Sequence, residues 1–543
     1  MERAGPVQLW TPFSNPCADR PRHRSHEPSG GRARRPWRSS LRAALLSIIG
    51  VLLPLVVGGC SRPDEKVPPN VIIILVDTLR ADQLEIYGYG RPTSPALQDL
   101  ARKSVVFENA YGASPWTLPT VVSLMTSTWP CEHRVTFDWV KPDADLPMLA
   151  ERMKKLGYAT ANFYANIYAG PPWDISRGFD QTKQLRRKHG NEQVMSWIDE
   201  HPQDPFFLYV HRIEPHDPYT FASRRGGAFR WVAPQRRAAI RDLAHEYRRL
   251  TRVDFSERNS LGTTDNTAEQ DAVLQQLFDA KSDYVELYDA TVRQVDTRIQ
   301  RLIDGLKTRG LWENTLLIIT ADHGEEFGEH GGWAHDQSVY QELLHVPLLI
   351  RLPGDEFGGT RVASPARTID VLPTVFDYLG KSERATDARG RSLLPAMRGE
   401  PGRQPETVLV GMRINKKKYY RPWKESRGDI NIALRRGKWK AIWNVEPDTL
   451  ELYDLERDPQ ESHDLSAARP KLAAAMREAA RTAYDDCSKR QRRPIPKKDF
   501  DEETTSILQD LGYVGDDDDG ADESSGPDSQ PTTTRGAGPD QPY

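Results

Sequence analysis

Acidic and histidine side chains stand at the ends of two predicted strands of this chain. Asp77 comes directly after the β-branched run 70–76, and Asp322 and His323 follow the apolar run 315–320. Carboxylate oxygens and an imidazole nitrogen together suit a divalent metal ion. Because ligands collect where the carboxyl ends of strands meet, we expect these three side chains to form one metal site.

A threonine at a predicted helix start could supply a nucleophile beside that metal. Thr117 lies two residues before Pro119, and proline favours the first turn of a helix. At a helix N-terminus the dipole and the free N–H groups favour an alkoxide and a bound oxyanion, and a metal contact would lower the pKa of the hydroxyl further. His216 and His335 could stabilise the anion or protonate a leaving oxygen. Considered singly, Thr117 could equally be a helix cap, and His216 could equally be an exposed residue of a turn.

Continuous apolar runs predict the strands that must carry these residues. Such runs suit parallel strands that are buried on both faces. They occupy residues 70–77, 205–210, 315–320 and 345–352. Helical patterns alternate with them, which predicts an α/β fold with a large, mostly parallel sheet covered by helices on both faces.

The longest of these helical patterns runs from Tyr284 to Leu306, where apolar residues recur at spacings of three and four. Gly310 is expected to close this helix. The polar, Arg-rich segment 220–275 is typical of an insertion or lid over the site. The runs 431–442 and 450–455 predict strands of a smaller C-terminal α+β subdomain.

The N-terminal segment predicts export. Several arginines precede the short apolar run 43–57, and two glycines and Cys60 follow it. The sequence VGGC resembles a bacterial lipoprotein box, which implies that Cys60 is lipidated and becomes the mature N-terminus. An uncleaved membrane anchor is the alternative. Both interpretations place the remainder of the chain outside the cytoplasm, at the periplasmic face of a bacterial membrane.

These patterns divide the chain into five segments. They are an export segment (1–60), a Pro-rich tether (61–69), a catalytic domain (70–400), the C-terminal subdomain (401–515) and an acidic tail (516–543). The tail is rich in Asp, Gly, Ser, Pro and Thr, a composition that predicts disorder.

Charge and cysteine content exclude other classes of function. The net charge is −3, and residues 1–59 contain nine basic and three acidic residues, so the rest of the chain is more acidic than this total. An acidic body argues against a nucleic-acid partner. The four cysteines, Cys17, Cys60, Cys131 and Cys487, lack the spacing of a thiolate zinc site. Cys131 and Cys487 could form one disulfide in an oxidising compartment or remain unpaired.

The motifs together resemble the sulfatase family of the alkaline-phosphatase superfamily. NVIIILVDTLR (70–80) resembles the opening strand and metal aspartate of that family, PHDPY (215–219) its Pro-His motif, and TADHGEEFGEHG (320–331) its second metal-binding segment. The resemblance covers residues 68–515 and implies an alkaline-phosphatase-like fold. Further matching segments lie at 346–351, 370–374, 390–394, 452–459 and 511–514.

The resemblance also implies roles for individual residues. The implied metal ligands are Asp77, Thr117, Asp322 and His323. The implied catalytic residues are Thr117, His216 and His335, and Arg80 and Thr120 are implied to contact the substrate. Glu214 could join the two catalytic histidines in a second metal site.

The nucleophile motif departs from the family. Typical sulfatases carry Cys or Ser in a Cys-x-Pro-Ser-Arg motif, and this residue is converted to formylglycine. In this chain Thr117 occupies that position, and Val121 replaces the arginine. Threonine cannot be converted to the aldehyde, so a metal-bound threonine would have to react directly. Such a threonine resembles the phosphodiesterase and phospho-group transferase branches of the superfamily.

The metal motif departs as well. Thr78 replaces the second aspartate of the usual Asp-Asp pair, which removes one hard carboxylate ligand. The resemblance implies Ca²⁺ as the single divalent ion, whereas the imidazole of His323 also makes Zn²⁺ or Mn²⁺ plausible.

Three functions therefore stay open at this point. The first is hydrolysis of sulfate esters by a metal-bound threonine, on a small-molecule or glycan substrate. The second is hydrolysis of phosphodiesters or phosphonate esters, or transfer of a phospho group. The third is a catalytically inactive binding protein. We expect contact with the membrane through an anchor, and the sequence gives no sign of nucleic acid or of an obligatory protein partner.

Overall fold

The structure is a computed structural model that describes most of residues 67–496. It leaves out residues 138–139, 187–188, 203–204, 217–218, 220–234, 401–406 and 415–429, describes only short stretches between 235 and 267, and beyond 496 describes Thr504 alone. The predicted export segment with Cys60, most of the predicted lid and the acidic tail lie outside the described residues.

The strands and helices are numbered in chain order. The strands are β1 (Asn70–Val76), β2 (Val105–Phe107), β3 (Ala110–Tyr111), β4 (Val140–Lys141), β5 (Ala159–Tyr164), β6 (Gln181–Gln184), β7 (Phe206–Arg212), β8 (Thr315–Ala321), β9 (Glu326–Phe327), β10 (Trp333–Ala334), β11 (His345–Val346), β12 (Leu348–Arg351), β13 (Arg361–Val362), β14 (Ala366–Arg367), β15 (Val408–Ile414), β16 (Ile430–Arg436), β17 (Trp439–Asn444), β18 (Thr449–Asp454) and β19 (Ile495–Pro496). The α-helices are α1 (Pro95–Ala101), α2 (Thr117–Thr126), α3 (Pro130–His133), α4 (Leu149–Lys154), α5 (Gly190–Glu200), α6 (Ala268–Asp279), α7 (Lys281–Thr308), α8 (Gln341–Leu344), α9 (Val371–Tyr378), α10 (Leu394–Met397) and α11 (Pro470–Ser488).

The main sheet has eight strands in the order β13-β2-β12-β8-β1-β7-β5-β6. Every residue of β1, β7 and β8 is buried, as the continuous apolar runs predict. The predicted large α/β sheet is confirmed. It is mixed rather than wholly parallel, because β12 runs antiparallel to both β2 and β8.

Strand register brings the predicted site residues to one edge of this sheet. β1 pairs in parallel with β7 on one side and β8 on the other, so that Val76 lies beside Arg212 and Ala321. The three carboxyl ends therefore meet, and Asp77 and Asp322 come directly after two of them. This is the arrangement in which α/β sheets collect ligands.

The helices pack on the sheet through one continuous hydrophobic core. The long α7 contacts α1 and α5, and α2 contacts α3, α4 and α9. The predicted helix is confirmed as α7, and Gly310 follows its end with a φ of +68°, a left-handed conformation that suits glycine. Within the part of the chain that the structure describes, no helix is long and apolar enough to cross a membrane.

The C-terminal sheet is antiparallel and has the order β15-β16-β17-β18. Helix α11 packs against its three last strands. The predicted strands 431–442 and 450–455 are confirmed as β16, β17 and β18. A smaller subdomain thus follows the main sheet along the chain.

A disulfide between Cys131 and Cys487 joins α3 to α11. Both sulfur-bearing side chains are buried. The adjacent Glu132 strengthens this junction, because its carboxylate accepts two hydrogen bonds from Arg389 and its carbonyl accepts one from the backbone N–H of Arg492. The pairing that the sequence left open is therefore made in the structure.

Removal of this disulfide should destabilise the protein. We expect Cys131→Ser with Cys487→Ser to lower the free energy of unfolding by about 2–5 kcal/mol, because the bond constrains a very long loop of the unfolded chain. Thermal unfolding with and without a reductant measures the effect. The reductant should lower the Tm of the parent protein and leave the double-serine variant unchanged; equal Tm values for parent and variant would contradict the prediction.

His330, which lies between β9 and β10, forms a second junction with the C-terminal subdomain. Its Nδ1 lies 2.6 Å from Oε1 of Glu342, its Nε2 lies 3.1 Å from the carbonyl oxygen of Glu461, and its ring stacks on Tyr340. A carbonyl and a carboxylate only accept hydrogen bonds, so the imidazolium form satisfies both contacts. Burial works to lower the pKa of His330, but Glu342 and Glu461 outweigh it and raise that pKa.

The contribution of His330 to stability should depend on pH. Since its pKa is raised in the folded protein, the stabilisation is fully present below about pH 6.5 and is lost as the pH rises through the higher folded pKa. We expect the Tm difference between the parent and His330→Gln to be largest at acidic pH and to shrink on the alkaline side. His463→Gln, at an exposed histidine, serves as control for the loss of a surface imidazole and should change the Tm far less. A Tm difference independent of pH would refute the imidazolium assignment.

Candidate active site

Three predicted metal ligands converge at the carboxyl edge of the main sheet. Nε2 of His323 lies 3.7 Å from Oδ1 of Asp77 and 3.6 Å from Oδ2 of Asp322. All three side chains are fully buried. The ring of His323 is oriented by its Nδ1, which donates to the carbonyl of Gly324 at 2.8 Å and leaves Nε2 as the acceptor. The structure thus brings these ligands together as predicted.

His211, near the end of β7, is a site residue that the sequence analysis missed. Its Nε2 lies 3.9 Å from Oδ2 of Asp77, and it groups with Asp77 and Asp322 as a set of side chains able to hold a metal ion. Neither ring nitrogen has a hydrogen-bond partner among the described residues, although the ring is fully buried. Burial lowers the pKa of His211 to about 4, so the ring is neutral at pH 7, the form that binds metals.

Asn166 is the second residue that was missed, and it orients Asp77. Its side-chain amide donates to Oδ2 of Asp77 at 2.7 Å. Burial, and next the charge of Asp322, raise the pKa of Asp77 well above its usual range. A cation between the two carboxylates would remove this repulsion, whereas without one the two negative charges destabilise each other.

Thr78 occupies a strained position beside these ligands. Its φ is +56°, a left-handed value that is rare for a β-branched residue. Its N–H donates to Oδ1 of Asp322 at 3.1 Å, and its carbonyl accepts from the hydroxyl of Tyr288 at 2.7 Å. Its own hydroxyl is buried and has no hydrogen-bond partner among the described residues.

Thr117 is the first residue of α2, as the position of Pro119 predicts. Its Oγ1 lies 3.4 Å from Oδ1 of Asp77 and 3.3 Å from Nε2 of His323, and its side chain is almost fully buried. The hydroxyl therefore faces the metal ligands from the N-terminus of a helix, where partial positive charge favours an alkoxide.

Three of these buried groups have polar atoms that lack a partner in the described structure. They are the Thr78 hydroxyl, both ring nitrogens of His211 and Oδ2 of Asp322. An unsatisfied buried polar atom is unfavourable, and clusters of them call for a ligand. A divalent ion fits this donor set, since two carboxylates supply oxygen and two imidazoles supply nitrogen. The residues present therefore fit the metal that the sequence predicts, with His211 added to the predicted set.

The predicted catalytic histidines stand together next to this set. The ring centroid of His335 lies 4.7 Å from that of His323 and 5.0 Å from that of His216. Nδ1 of His335 lies 2.9 Å from Oε1 of the buried Glu325. A carboxylate accepts, so Nδ1 carries the proton and Nε2 is the nitrogen that can exchange one with a substrate.

Other predicted residues have different surroundings. The guanidinium of Arg80 is bound by Asp82, Glu329 and the carbonyl of Glu325, and the role in substrate binding stays a prediction. Thr120 donates to the carbonyl of Ser114 at 2.9 Å and accepts from the N–H of Ser114, so that it orders the loop before Thr117.

One ligand of the alternative second metal site, Glu214, is engaged in another interaction. The carboxylate of Glu214 pairs with Arg298 and is buried there. The groups of three acidic or histidine donors that lie close enough for a metal, among the described side chains, are two: one contains Asp77, His211 and Asp322, and the other Glu326, His330 and Glu342. Neither contains Glu214, His216 or His335.

Two family models match the chain. The model described as Sulfatase matches residues 69–381, more than half of the sequence and all the site residues above. The model described as N-sulphoglucosamine sulphohydrolase, C-terminal, matches residues 328–482.

The chain is similar to curated sulfatases over most of its length. It is 26% identical to a choline-sulfatase of Rhizobium meliloti over 480 residues, which covers 77% of this chain and 86% of the relative. It is 23% identical to an N-acetylglucosamine-6-O-sulfatase of Bacteroides thetaiotaomicron, with 81% and 91% covered.

Solved structures share its fold. One is the structure of a protein in complex with its substrate, D-glucosamine-2-N,6-O-disulfate. Its TM-score is 0.59 at 20% identity, and the match covers 77% of this chain and 98% of that one. Another is a phosphonate monoester hydrolase from Silicibacter pomeroyi, with a TM-score of 0.58, 20% identity and coverage of 77% and 95%.

Proposed function

We propose that this chain, which belongs to the sulfatase family of sulfate-ester hydrolases, hydrolyses its ester with Thr117 itself as the nucleophile. The observation that supports this most is the position of the Thr117 hydroxyl. It lies within 3.4 Å of both Asp77 and His323, at the start of α2. The position that becomes formylglycine in typical sulfatases holds threonine in this chain, so the nucleophile at this position has to be the threonine hydroxyl.

One divalent ion, when bound by Asp77, Asp322, His323 and His211, supplies positive charge that lowers the pKa of the Thr117 hydroxyl and stabilises the anionic substrate. His323 and His211 offer nitrogen, which favours Zn²⁺ or Mn²⁺ over the Ca²⁺ that the family resemblance implies. Thr78 offers a neutral oxygen where the family has a carboxylate, which weakens the case for calcium further.

The residues of the chain account for each bond of the reaction. Nε2 of His335 or the ring of His216 takes the proton of Thr117 as Oγ attacks sulfur, an Oγ–S bond forms, and the bond between sulfur and the ester oxygen breaks. The same histidine then gives this proton to the departing alcohol. In the second half, a water molecule attacks sulfur and loses a proton to this histidine, the Oγ–S bond breaks, and the proton returns to Oγ, which releases hydrogen sulfate and restores Thr117.

Phosphonate monoester hydrolysis is the second candidate. A sulfate monoester and a phosphonate monoester both carry one negative charge and present tetrahedral centres of similar size. A threonine that attacks directly, beside a metal ion with nitrogen ligands, is suited to attack at sulfur and at phosphorus alike. The similar fold of a phosphonate monoester hydrolase supports keeping this candidate.

We further propose that the protein acts outside the cytoplasm on a small-molecule or glycan ester, held at the membrane through Cys60. The disulfide between Cys131 and Cys487 supports this, because such bonds persist in oxidising compartments. The two curated relatives are named for choline and N-acetylglucosamine sulfates, which fits a small-molecule or glycan substrate.

A panel of esters with one common leaving group tests the function. Residues 61–543, without the predicted lipidated cysteine, would be assayed on 4-nitrophenyl sulfate, a 4-nitrophenyl phosphodiester and a 4-nitrophenyl phosphonate, each with Ca²⁺, Zn²⁺ or Mn²⁺. Fastest turnover of the sulfate supports the main proposal, and preference for the phosphonate supports the second candidate. Failure to turn over any ester with any of these ions would overturn both.

A further inference from the structure

The loop that carries His335 has an unusual backbone. Ala334 has a φ of +67° and Asp336 a φ of +82°, so both neighbours of His335 are left-handed although neither is glycine. Such conformations are unfavourable for residues with a side chain and persist only where the surrounding structure enforces them. Something must therefore hold this loop in place.

Three hydrogen bonds hold the backbone on both sides of His335. The N–H of Asp336 donates to the carbonyl of Pro115 at 3.0 Å, just before Thr117. The side chain of Gln337 donates to the carbonyl of Ala334 at 3.2 Å. Nε of Arg413 donates to the carbonyl of Asp336 at 2.6 Å.

Arg413 belongs to the C-terminal sheet, not to the main one. It lies on β15, is 8% exposed, and its Nη1 donates to Oδ1 of Asn431 on β16 at 3.2 Å. Asn431 in turn donates to Asn444 on β17 at 2.6 Å. The position of the guanidinium is thus fixed by a chain of polar contacts across three strands of that sheet.

We infer that Arg413 and Glu325 are positioning residues for His335, so that the C-terminal sheet completes the active site. Arg413 fixes the backbone next to the histidine, and Glu325 fixes the ring through Nδ1 at 2.9 Å. Together they place Nε2 where it can give a proton to the leaving alcohol. This inference rests on the proposed function, in which His335 serves that proton transfer.

The chain offers a matched control for Arg413. Arg435 lies on β16 of the same sheet and is 9% exposed. It donates hydrogen bonds to Asn109 and Tyr111 and not to the backbone next to His335. Replacing either arginine removes a buried cation from the C-terminal sheet, but only the replacement of Arg413 removes the hydrogen bond to the carbonyl of Asp336.

Leaving-group dependence separates positioning from loss of stability. We would compare the parent, Arg413→Met, Arg413→Lys, Glu325→Gln and Arg435→Met on 4-nitrophenyl sulfate and on phenyl sulfate, whose poorer leaving group needs the proton more. Arg413→Met and Glu325→Gln should lose about 10- to 100-fold more kcat on phenyl sulfate than on 4-nitrophenyl sulfate. Arg413→Lys should recover part of this loss, and Arg435→Met should change both rates alike. Equal losses on both substrates in Arg413→Met and Glu325→Gln would overturn the inference.

A second measurement does not depend on activity. Hydrogen–deuterium exchange should rise in a peptide spanning 333–340 for Arg413→Met, and in a peptide spanning 108–113 for Arg435→Met. If the parent hydrolyses no sulfate ester, the proposed function fails, while the exchange pattern still reports whether Arg413 holds the loop. Unchanged exchange at 333–340 in a folded Arg413→Met protein would refute the positioning role of this arginine.

Discussion

Thr117→Ala should reduce turnover of the preferred ester by roughly 10³- to 10⁶-fold, because it removes the covalent nucleophile. The hydroxyl is the only group of Thr117 that faces Asp77 and His323, and alanine has none. The fold should survive, since alanine fits the volume of threonine and favours a helix. Steady-state kcat and KM on 4-nitrophenyl sulfate, with circular dichroism of both proteins, measure the effect.

Two further variants make this result specific. Thr117→Ser keeps a hydroxyl at the same atom and should retain activity within about tenfold of the parent, because the attacking group is preserved. Thr126→Ala removes another buried threonine from the same helix, whose hydroxyl bonds the carbonyl of Val122 at 2.7 Å. It should affect stability and leave kcat nearly unchanged. Full activity in Thr117→Ala would contradict the nucleophile assignment.

The main sheet could be predicted because its strands are apolar throughout. β1 and β8 are buried on both faces, and a continuous β-branched run is the pattern that such burial demands. The runs are followed directly by the polar residues Asp77, Asp322 and His323. The position of the site could therefore be predicted from the pattern. The antiparallel direction of β12 could not be predicted, because a buried apolar run has the same pattern in parallel and antiparallel strands.

His211 and Asn166 were missed for different reasons. His211 is the last residue but one of β7 and follows an apolar run, and a single histidine there is more often part of the core. Only the structure shows that both ring nitrogens lack partners in the described protein and that Asp77 is 3.9 Å away. Asn166 lies in a short turn after β5, and nothing in its neighbours marks it as a partner of a residue 89 positions earlier.

Which residues of the main domain contact the C-terminal subdomain could not be established from the sequence. His335 could be picked out from its motif, but the hydrogen bond from Arg413 joins residues separated by 77 positions. Cys131 and Cys487 are separated by 356 positions. Long-range pairs of this kind depend on how the sheets pack, which local periodicity does not encode.

His211→Leu should stabilise the metal-free protein and reduce the stabilisation that a bound metal adds. In the metal-free protein, leucine removes a buried imidazole whose nitrogens lack partners among the described residues, so the variant should be more stable by about 1–3 kcal/mol. In the parent, an ion at 100 times its Kd adds about 2.7 kcal/mol, and this gain should fall sharply in the variant because one nitrogen ligand is lost. We expect a loss of affinity of at least about 10- to 100-fold.

Chelator competition with Zn²⁺ and Mn²⁺ gives the affinities, and thermal unfolding with EDTA or excess metal gives the two stabilities. His133→Leu is the matched control, since His133 is equally buried and burial lowers its pKa to about 3. Its ring nitrogens are used by Ser123 and by the N–H of Val135, so leucine should destabilise the protein equally with and without metal. If His211→Leu kept the parent's metal affinity, or destabilised the metal-free protein as His133→Leu does, His211 would be a core residue and the ion would depend on the predicted set of Asp77, Thr117, Asp322 and His323.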